Sequence, residues 1–130
     1  MELRLSTFNS NGATIVEAGG ELELHNAPRL REELKRICET DKPRCVVNMS
    51  DVSFIDSTGV GVLVGALKRA REHEGSLTLA CPQPRVRRVF EITGLLQALP
   101  IFDSLEAAQA ACAGELSGGT QTTSPQTVVG

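Results

Sequence analysis

Apolar and polar residues alternate with two different periods along this chain, and the change of period distinguishes strands from helices. Alternation at residues 3–5 and a β-branched run at residues 14–17, separated by the turn Asn11–Gly12, predict an opening β-hairpin. After Gly19–Gly20 the alternation resumes at residues 22–24, which predicts a short third strand.

Helical spacing begins after Asn26, the expected N-cap, with Pro28 in the first turn. The predicted inward face consists of apolar residues three or four positions apart: Ala27, Leu30, Leu34 and Ile37. This helix is expected to end before residues 41–43. The next element, residues 45–49, is short and apolar, which is typical of a strand buried on both faces of a sheet.

The segment at residues 52–63 is the most informative part of the chain. Its apolar run ends in Asp56-Ser57-Thr58-Gly59, and apolar residues then recur with the spacing of one helix face: Val60, Leu63, Val64 and Leu67. Asp, Ser and Thr cap helices, so they are expected at the first turn. Asp56 is predicted to be the N-cap; the alternatives are a hydrogen bond to Ser57 or a position beside magnesium during phosphoryl transfer. A hydroxyl there lies beside unpaired backbone N–H groups and the positive end of the helix dipole, where a phosphoryl group is tolerated.

A further strand is predicted at residues 76–81, after Glu74–Gly75 ends the second helix. A third helix is predicted from about Pro84 to Gly94. It would turn Val86, Val89 and Phe90 inward and Arg85, Arg87 and Arg88 outward. The three arginines then form the solvated face of a helix, or they steer an acidic partner.

The last elements predicted are a brief strand at residues 101–102 and an Ala-rich helix that reaches about Ala113. Asp103 with Glu106 has the spacing of a capping box for that helix. Beyond it the chain is rich in Gly, Ser, Thr and Gln, a composition that buries too little apolar surface to become ordered. We therefore expect one domain at residues 1–113 and a disordered C-terminal tail at residues 114–130.

Strands that alternate with helices from residue 22 onward predict an α/β fold, with a mainly parallel sheet joined by right-handed crossovers. With the opening hairpin, this gives a mixed, mostly parallel sheet of about four to six strands and about four helices. The length of 130 residues and the 41% hydrophobic content suit a single core.

Composition excludes several classes of function. A net charge of −3 and 3% aromatic residues argue against nucleic-acid binding, which usually needs a basic surplus or stacking platforms. No apolar run reaches the ~18 residues of a membrane span, and the start lacks a signal peptide's apolar core, so a cytoplasmic protein is expected. The four cysteines form no C-x-x-C pair, so neither a metal site nor a cofactor is predicted.

Ser57 has two interpretations from the residues alone, a helix cap or a phosphoacceptor. A hydrolase is disfavoured because no G-x-S-x-G elbow is present and nothing places His25 or His73 near Ser57. The glycines at 59, 61 and 65 lack the Gly-Lys-Ser/Thr of a P-loop, so no nucleotide chemistry and no enzyme activity are expected. Gly59 and Gly61 are unfavourable in a helix, which indicates close approach of either a partner or a neighbouring strand.

Four motifs in this order resemble the STAS-domain anti-sigma factor antagonists of bacterial partner-switching systems, actinobacterial members above all. They are Gly20-Glu21-Leu22-Glu23, Ala27-Pro28-Arg29-Leu30-Arg31, the block from Asp51 to Gly61, and Phe90-Glu91-Ile92-Thr93-Gly94-Leu95. The resemblance extends from about residue 3 to residue 113. It implies a regulator of transcription in the stress response, with a STAS fold and no catalytic residues of its own.

In that family the first hydroxyl after the Asp is phosphorylated by a cognate anti-sigma factor, which is a serine kinase. Here that hydroxyl belongs to Ser57, with Thr58 as second choice. The resemblance implies that the unphosphorylated protein binds the kinase and frees a sigma factor, and that a PP2C-type phosphatase reverses the modification. The implied partner-binding residues are Glu21, Glu23, Asp56, Ser57, Thr58, Gly59 and Gly61. The family usually has Asp where this chain has Glu23.

An alternative within the same fold is an unphosphorylated STAS accessory subunit of a membrane transport complex. The intact hydroxyl after Asp56 favours the anti-sigma antagonist, since transport-associated members often lack it. Neither membrane insertion nor direct contact with nucleic acid is expected of this chain, and it is expected to be a monomer.

Overall fold

The computed structural model describes residues 2–112, and it begins with the expected β-hairpin. Strand β1 (Leu3–Ser10) pairs antiparallel with β2 (Ala13–Leu22). Asn11 and Gly12 turn the chain with positive φ angles of 52° and 85°, a conformation that Asn and Gly adopt readily. The tail expected at residues 114–130 lies outside the described residues, as does Ala113.

Four helices and three more strands complete the fold. In chain order they are α1 (Ala27–Cys38), β3 (Arg44–Ile55), α2 (Ser57–Glu72), β4 (Ser76–Ala80), α3 (Pro84–Ile92), β5 (Ile101–Phe102) and α4 (Leu105–Cys112). The sheet has the order β1-β2-β3-β4-β5, and every pairing except β1 with β2 is parallel. The predicted α/β class with a mixed, mostly parallel sheet is confirmed.

The helices cover the two faces of the sheet unequally. Residues of α1, α2 and α3 pack on one face, in a cluster that includes Leu34, Val47, Leu63 and Phe90, each completely buried. The other face packs against α4, through a smaller cluster of Ala13, Ile15, Val46, Ala80, Ala108 and Cys112. Val46 and Val47 point to opposite faces because side chains alternate along a strand, and this explains the continuous apolar run in β3.

The third strand predicted at residues 22–24 does not exist as a separate element. Strand β2 continues through Gly19–Gly20 to Leu22, and its register with β3 shifts around these glycines. Gly20 has a φ of 98°, and a Cβ there would collide with the carbonyl oxygen of Glu2. The glycines therefore form an irregularity within one strand, rather than the boundary between two.

Two further boundaries differ from the prediction. Strand β3 does not stop at Met49 but runs on to Ile55, so the apolar run before Asp56 belongs to the same strand. At the last helix, the hydroxyl oxygen of Ser104 accepts a hydrogen bond from the Ala107 amide at 3.1 Å. Ser104 therefore caps α4, and the Asp103 assignment was wrong by one residue.

Candidate functional site

Asp56 lies at the junction between β3 and α2 and determines how the helix begins. Its backbone is extended, with a φ of −108°, and its carboxylate oxygen Oδ1 accepts a hydrogen bond from the Gly59 amide at 3.0 Å. Asp56 is therefore the N-cap, as predicted, and it satisfies one of the free N–H groups of the first turn. Ser57 follows as the first helical residue.

The other oxygen of the same carboxylate reaches a different part of the chain. Oδ2 of Asp56 accepts a hydrogen bond from the Leu24 amide at 2.9 Å, and the Asp56 amide donates to the Leu22 carbonyl at 3.1 Å. Because Leu22 ends β2, these bonds fasten the start of α2 to the connection between β2 and α1. Parallel strands bring the two chain segments to the same edge of the sheet.

The connection between β2 and α1 is held by its own side chains as well. Asn26 accepts from the Glu23 amide at 2.9 Å through Oδ1 and donates from Nδ2 to the Glu21 carbonyl at 2.7 Å. Asn26 precedes α1 as expected, but its side chain makes no capping bond to the helix. Instead it braces the loop, a role that its position in the sequence does not reveal.

The two predicted acidic partner contacts differ in their surroundings. Glu23 is only 9% exposed, and its Oε1 accepts from the His25 amide at 2.9 Å and lies 3.2 Å from His25 Nδ1. Its carboxylate is thus directed into its own loop. Glu21 is half-buried, and its Oε1 is shielded from solvent without a hydrogen-bond partner among residues 2–112. Sequence reasoning treated these residues alike, but burial distinguishes them.

Ser57 and Thr58, the two candidate acceptors, occupy different environments. Ser57 is exposed, and its hydroxyl makes no hydrogen bond with the described residues. Thr58 is half-buried and lines a groove of about 360 Å³ between α1 and α2. The other lining residues are Pro28, Arg31, Gly61, Val62, Gly65 and Arg69. A large group that approaches from solvent therefore meets the Ser57 hydroxyl with less obstruction.

Gly59 and Gly61 are small for different reasons. A Cβ on Gly59 would lie 2.8 Å from Leu22 Cγ and 2.8 Å from Ile55 Cγ1, so neighbouring strands of the same chain require this glycine. A Cβ on Gly61 would meet nothing within 4 Å, and Gly61 is exposed. Of the two explanations the sequence allowed, the neighbouring-strand one applies to Gly59. The space beside Gly61 is open to a partner.

His73 lies too far from Ser57 to assist it. His73 is the C-cap of the 16-residue helix α2 and its Nδ1 lies 2.9 Å from the Arg69 carbonyl oxygen. A helix of that length separates His73 from Ser57 by about 24 Å, at ~1.5 Å per residue. His25 directs its ring to Glu23. Within residues 2–112, no three His, Cys, Asp or Glu side chains cluster as metal ligands would, and no helix has the length and apolarity to cross a membrane.

An exposed hydroxyl stands at the positive end of a helix, on a loop edge made rigid by side-chain hydrogen bonds. Such a site can receive an anion and present it to a partner surface. Its geometry suits a binding module regulated by modification.

Comparison with known proteins gives the family. Residues 5–108 match the STAS domain, and the chain belongs to the STAS-domain family. It is 33% identical over 106 residues to the anti-sigma-B factor antagonist of Staphylococcus aureus. The aligned residues cover 82% of this chain and 98% of that protein.

Solved structures show the same fold. An anti-sigma factor antagonist from Mycobacterium paratuberculosis superimposes with a TM-score of 0.77 at 23% identity, over 86% of this chain and 95% of its own. The anti-sigma factor antagonist SpoIIAA in its unphosphorylated form gives 0.69 at 23% identity, over 92% and 100%. The phosphorylated form, from Bacillus, gives 0.61 at 23% identity, over 85% and 99%.

Proposed function

We propose that this protein is an anti-sigma factor antagonist whose activity is switched by phosphorylation of Ser57. In the unphosphorylated state it binds a cognate anti-sigma factor, which is also a serine kinase, and thereby releases a sigma factor. Phosphorylation of Ser57 by that kinase abolishes binding, and a PP2C-type phosphatase restores it.

The observation that carries this proposal is the placement of Ser57. Its hydroxyl is exposed and unbonded at the first position of α2, while Asp56 caps the helix beside it. Backbone N–H groups of the first turn and the helix dipole favour negative charge at this point. The phosphoserine therefore has local hydrogen-bond donors and requires no change in the fold.

The charge of the phosphoryl group is sufficient for a switch. Phosphoserine adds about −1.5 to −2 charges at neutral pH, next to the carboxylate of Asp56. When that point is covered by a partner, repulsion and desolvation oppose binding. A penalty of ~4 kcal/mol weakens an interface about a thousandfold, which converts a nanomolar complex into a micromolar one.

The relatives support the regulatory part of the proposal. The Staphylococcus aureus protein is an anti-sigma-B factor antagonist, and it aligns with nearly its whole length to this chain. SpoIIAA exists in unphosphorylated and phosphorylated forms with the same fold as this chain. The similarity of this fold to both forms supports a charge switch that acts without refolding.

Phosphopeptide mapping of protein isolated from its own cells tests the position. Trypsin releases one peptide from Cys45 to Lys68, which contains both Ser57 and Thr58, so fragmentation must locate the group. We expect a growth-dependent phosphoryl group on Ser57, which disappears in Ser57→Ala and persists in Thr58→Val. Modification of Thr58 alone would move the site, and the absence of modification in every growth phase would contradict the switch.

Binding measurements test the partner. Purified kinase should bind wild-type protein and Ser57→Ala with similar affinity, and should bind Ser57-phosphorylated protein at least a hundredfold more weakly. Amide spectra of the two forms should agree except near the first turn of α2. Equal affinity of both forms for the kinase would refute the switch, and a global change in the spectra would refute its rigid-surface mechanism.

A further inference from the structure

Three consecutive backbone amides in the connection between β2 and α1 donate to side-chain oxygens. The Glu23 amide donates to Asn26 Oδ1 at 2.9 Å, the Leu24 amide to Asp56 Oδ2 at 2.9 Å, and the His25 amide to Glu23 Oε1 at 2.9 Å. Of the three acceptors, Asp56 alone comes from another element. Oδ2 of Asp56, the N-cap of α2, therefore connects this loop to the helix that begins at Ser57.

The residue at the centre of this arrangement is an exposed leucine. Leu24 is 60% exposed, although Leu30 and Leu34 in the following helix are completely buried. A single exposed leucine is ordinary on a protein surface and carries little meaning alone. Here, however, the backbone on both sides of it is fixed by hydrogen bonds, so the side chain projects from a rigid point.

We infer that Asp56 positions Leu24 as an apolar contact for the anti-sigma partner, so that one carboxylate joins the phosphoacceptor and the docking loop into a single surface. The inference rests on the proposed function for the identity of the partner. Leu24 fills an apolar pocket on that partner when Ser57 is unmodified.

Pre-organisation is the physical reason for such an arrangement. Binding usually costs free energy to order interface loops, and a loop already fixed by hydrogen bonds avoids much of that cost. The Leu24 amide donates to the carboxylate of Asp56, and Ser57 is the next residue along the chain. A partner that covers Leu24 therefore lies at the same edge of the sheet as Ser57, where a phosphoryl group opposes it.

Amide hydrogen exchange tests the positioning role without any partner. Asp56→Ser retains a good N-cap for Gly59, but its single hydroxyl oxygen leaves the Leu24 amide without an acceptor. We expect the Leu24 amide to exchange at least tenfold faster in this variant, while the Gly59 amide keeps its protection. In Leu24→Ala the backbone bond persists, so the amide at position 24 should exchange as in wild type. Unchanged Leu24 exchange in Asp56→Ser would overturn the positioning role.

Affinity for the purified kinase tests the contact. Leu24→Ala should weaken binding at least tenfold, whereas Phe8→Ala should change it less than twofold. Phe8 is also an exposed large apolar residue, 43% exposed, but it pairs with Ile15 at the far end of β2. At ~3.3 Å per residue, that position is about 23 Å along the strand from Leu22. Wild-type affinity in Leu24→Ala would overturn the contact.

A double variant separates a direct effect of Asp56 from one that acts through Leu24. The loss of affinity in Asp56→Ser should be several-fold smaller when Leu24 is already Ala, because the positioned group is then absent. Fully additive losses would overturn the coupling. If wild-type protein does not bind the kinase at all, the proposed function fails, and hydrogen exchange still decides whether Asp56 holds the loop.

Discussion

Gly59 packs against Leu22 so closely that a Cβ on the glycine would lie 2.8 Å from the leucine Cγ. Leu22 is the last residue of β2 and Gly59 lies in the first turn of α2, and both are buried. Their contact sets the depth at which the helix begins relative to the sheet. The exposure of Ser57 therefore depends on how closely Gly59 can approach Leu22.

Gly59→Ala is expected to destabilise the fold. The added methyl group would overlap Leu22 and Ile55, at a cost of about 1–3 kcal/mol, which exceeds the gain of ~1 kcal/mol from better helix propensity. Urea unfolding should show a lower free energy of unfolding than wild type. The matched control is Gly61→Ala, which has open space and should gain about 0.5–1 kcal/mol. Equal stability of the two variants would contradict the packing argument.

Gly61→Ala also separates stability from binding. Gly61 is exposed beside the groove between α1 and α2, and we predict that the partner approaches its backbone closely. Calorimetric titration with the purified kinase should show at least tenfold weaker binding for this variant, even though its fold is more stable. Binding equal to that of wild type would remove Gly61 from the partner surface.

Asn26→Ala should destabilise the connection between β2 and α1. Asn26 is 8% exposed, and its loss leaves the Glu23 amide and the Glu21 carbonyl without their partner. Unsatisfied buried groups of this kind cost about 2–3 kcal/mol together. Asn26→Asp keeps the acceptor but not the donor, so urea unfolding should place it between Asn26→Ala and wild type. A stable Asn26→Ala protein would show that solvent replaces both bonds.

Stability should fall slightly in acid through Glu33. Hydrogen bonds from Arg36, at 2.6 Å, and from the Thr7 hydroxyl, at 2.6 Å, lower the pKa of the Glu33 carboxyl below its ordinary value of 4.5. The folded protein thus favours the charged form, and its stabilising effect is complete above pH 4.5 and lost as the pH falls through the lower folded pKa.

Exposure and salt screening limit the Glu33 contribution to less than about 1 kcal/mol. We expect Glu33→Gln to lower the free energy of unfolding at pH 7, and the difference from wild type to shrink toward pH 3. A difference that stays constant with pH would mean that packing, and not ionisation, explains the effect.

Thiol labelling should distinguish Cys81 from the other cysteines. Cys38, Cys45 and Cys112 are buried, while Cys81 is half-exposed. The thiols of Cys38 and Cys45 interact with each other. This interaction lowers the pKa of Cys38 and, together with burial, raises the pKa of Cys45. Burial also raises the pKa of Cys81, so its reaction should be slow at neutral pH and faster above it. Ellman's reagent should label one thiol in the native protein and four after unfolding; rapid native labelling of a second thiol would contradict this arrangement.

Local sequence was sufficient for most elements and for the position of Ser57. The helix face of α2 from Val60 to Leu67, the hairpin turn at Asn11–Gly12 and the apolar run of β3 each depend on interactions within a few residues. Capping is equally local, so Asp56 was correctly expected to cap α2. Such patterns are readable in one dimension because the periods of strand and helix differ.

Tertiary structure decided what the local pattern left open. Gly19–Gly20 carries the same turn signal whether it ends a strand or bends one, and pairing with β3 determined that β2 continues. Asn26 has the composition of a cap, but carbonyl and amide groups of the preceding loop compete for its side chain. The bond from Leu24 to Asp56 joins residues 32 positions apart. This bond forms because the carboxyl ends of parallel strands lie at the same edge of the sheet. No periodicity in the sequence predicts that these two segments are close.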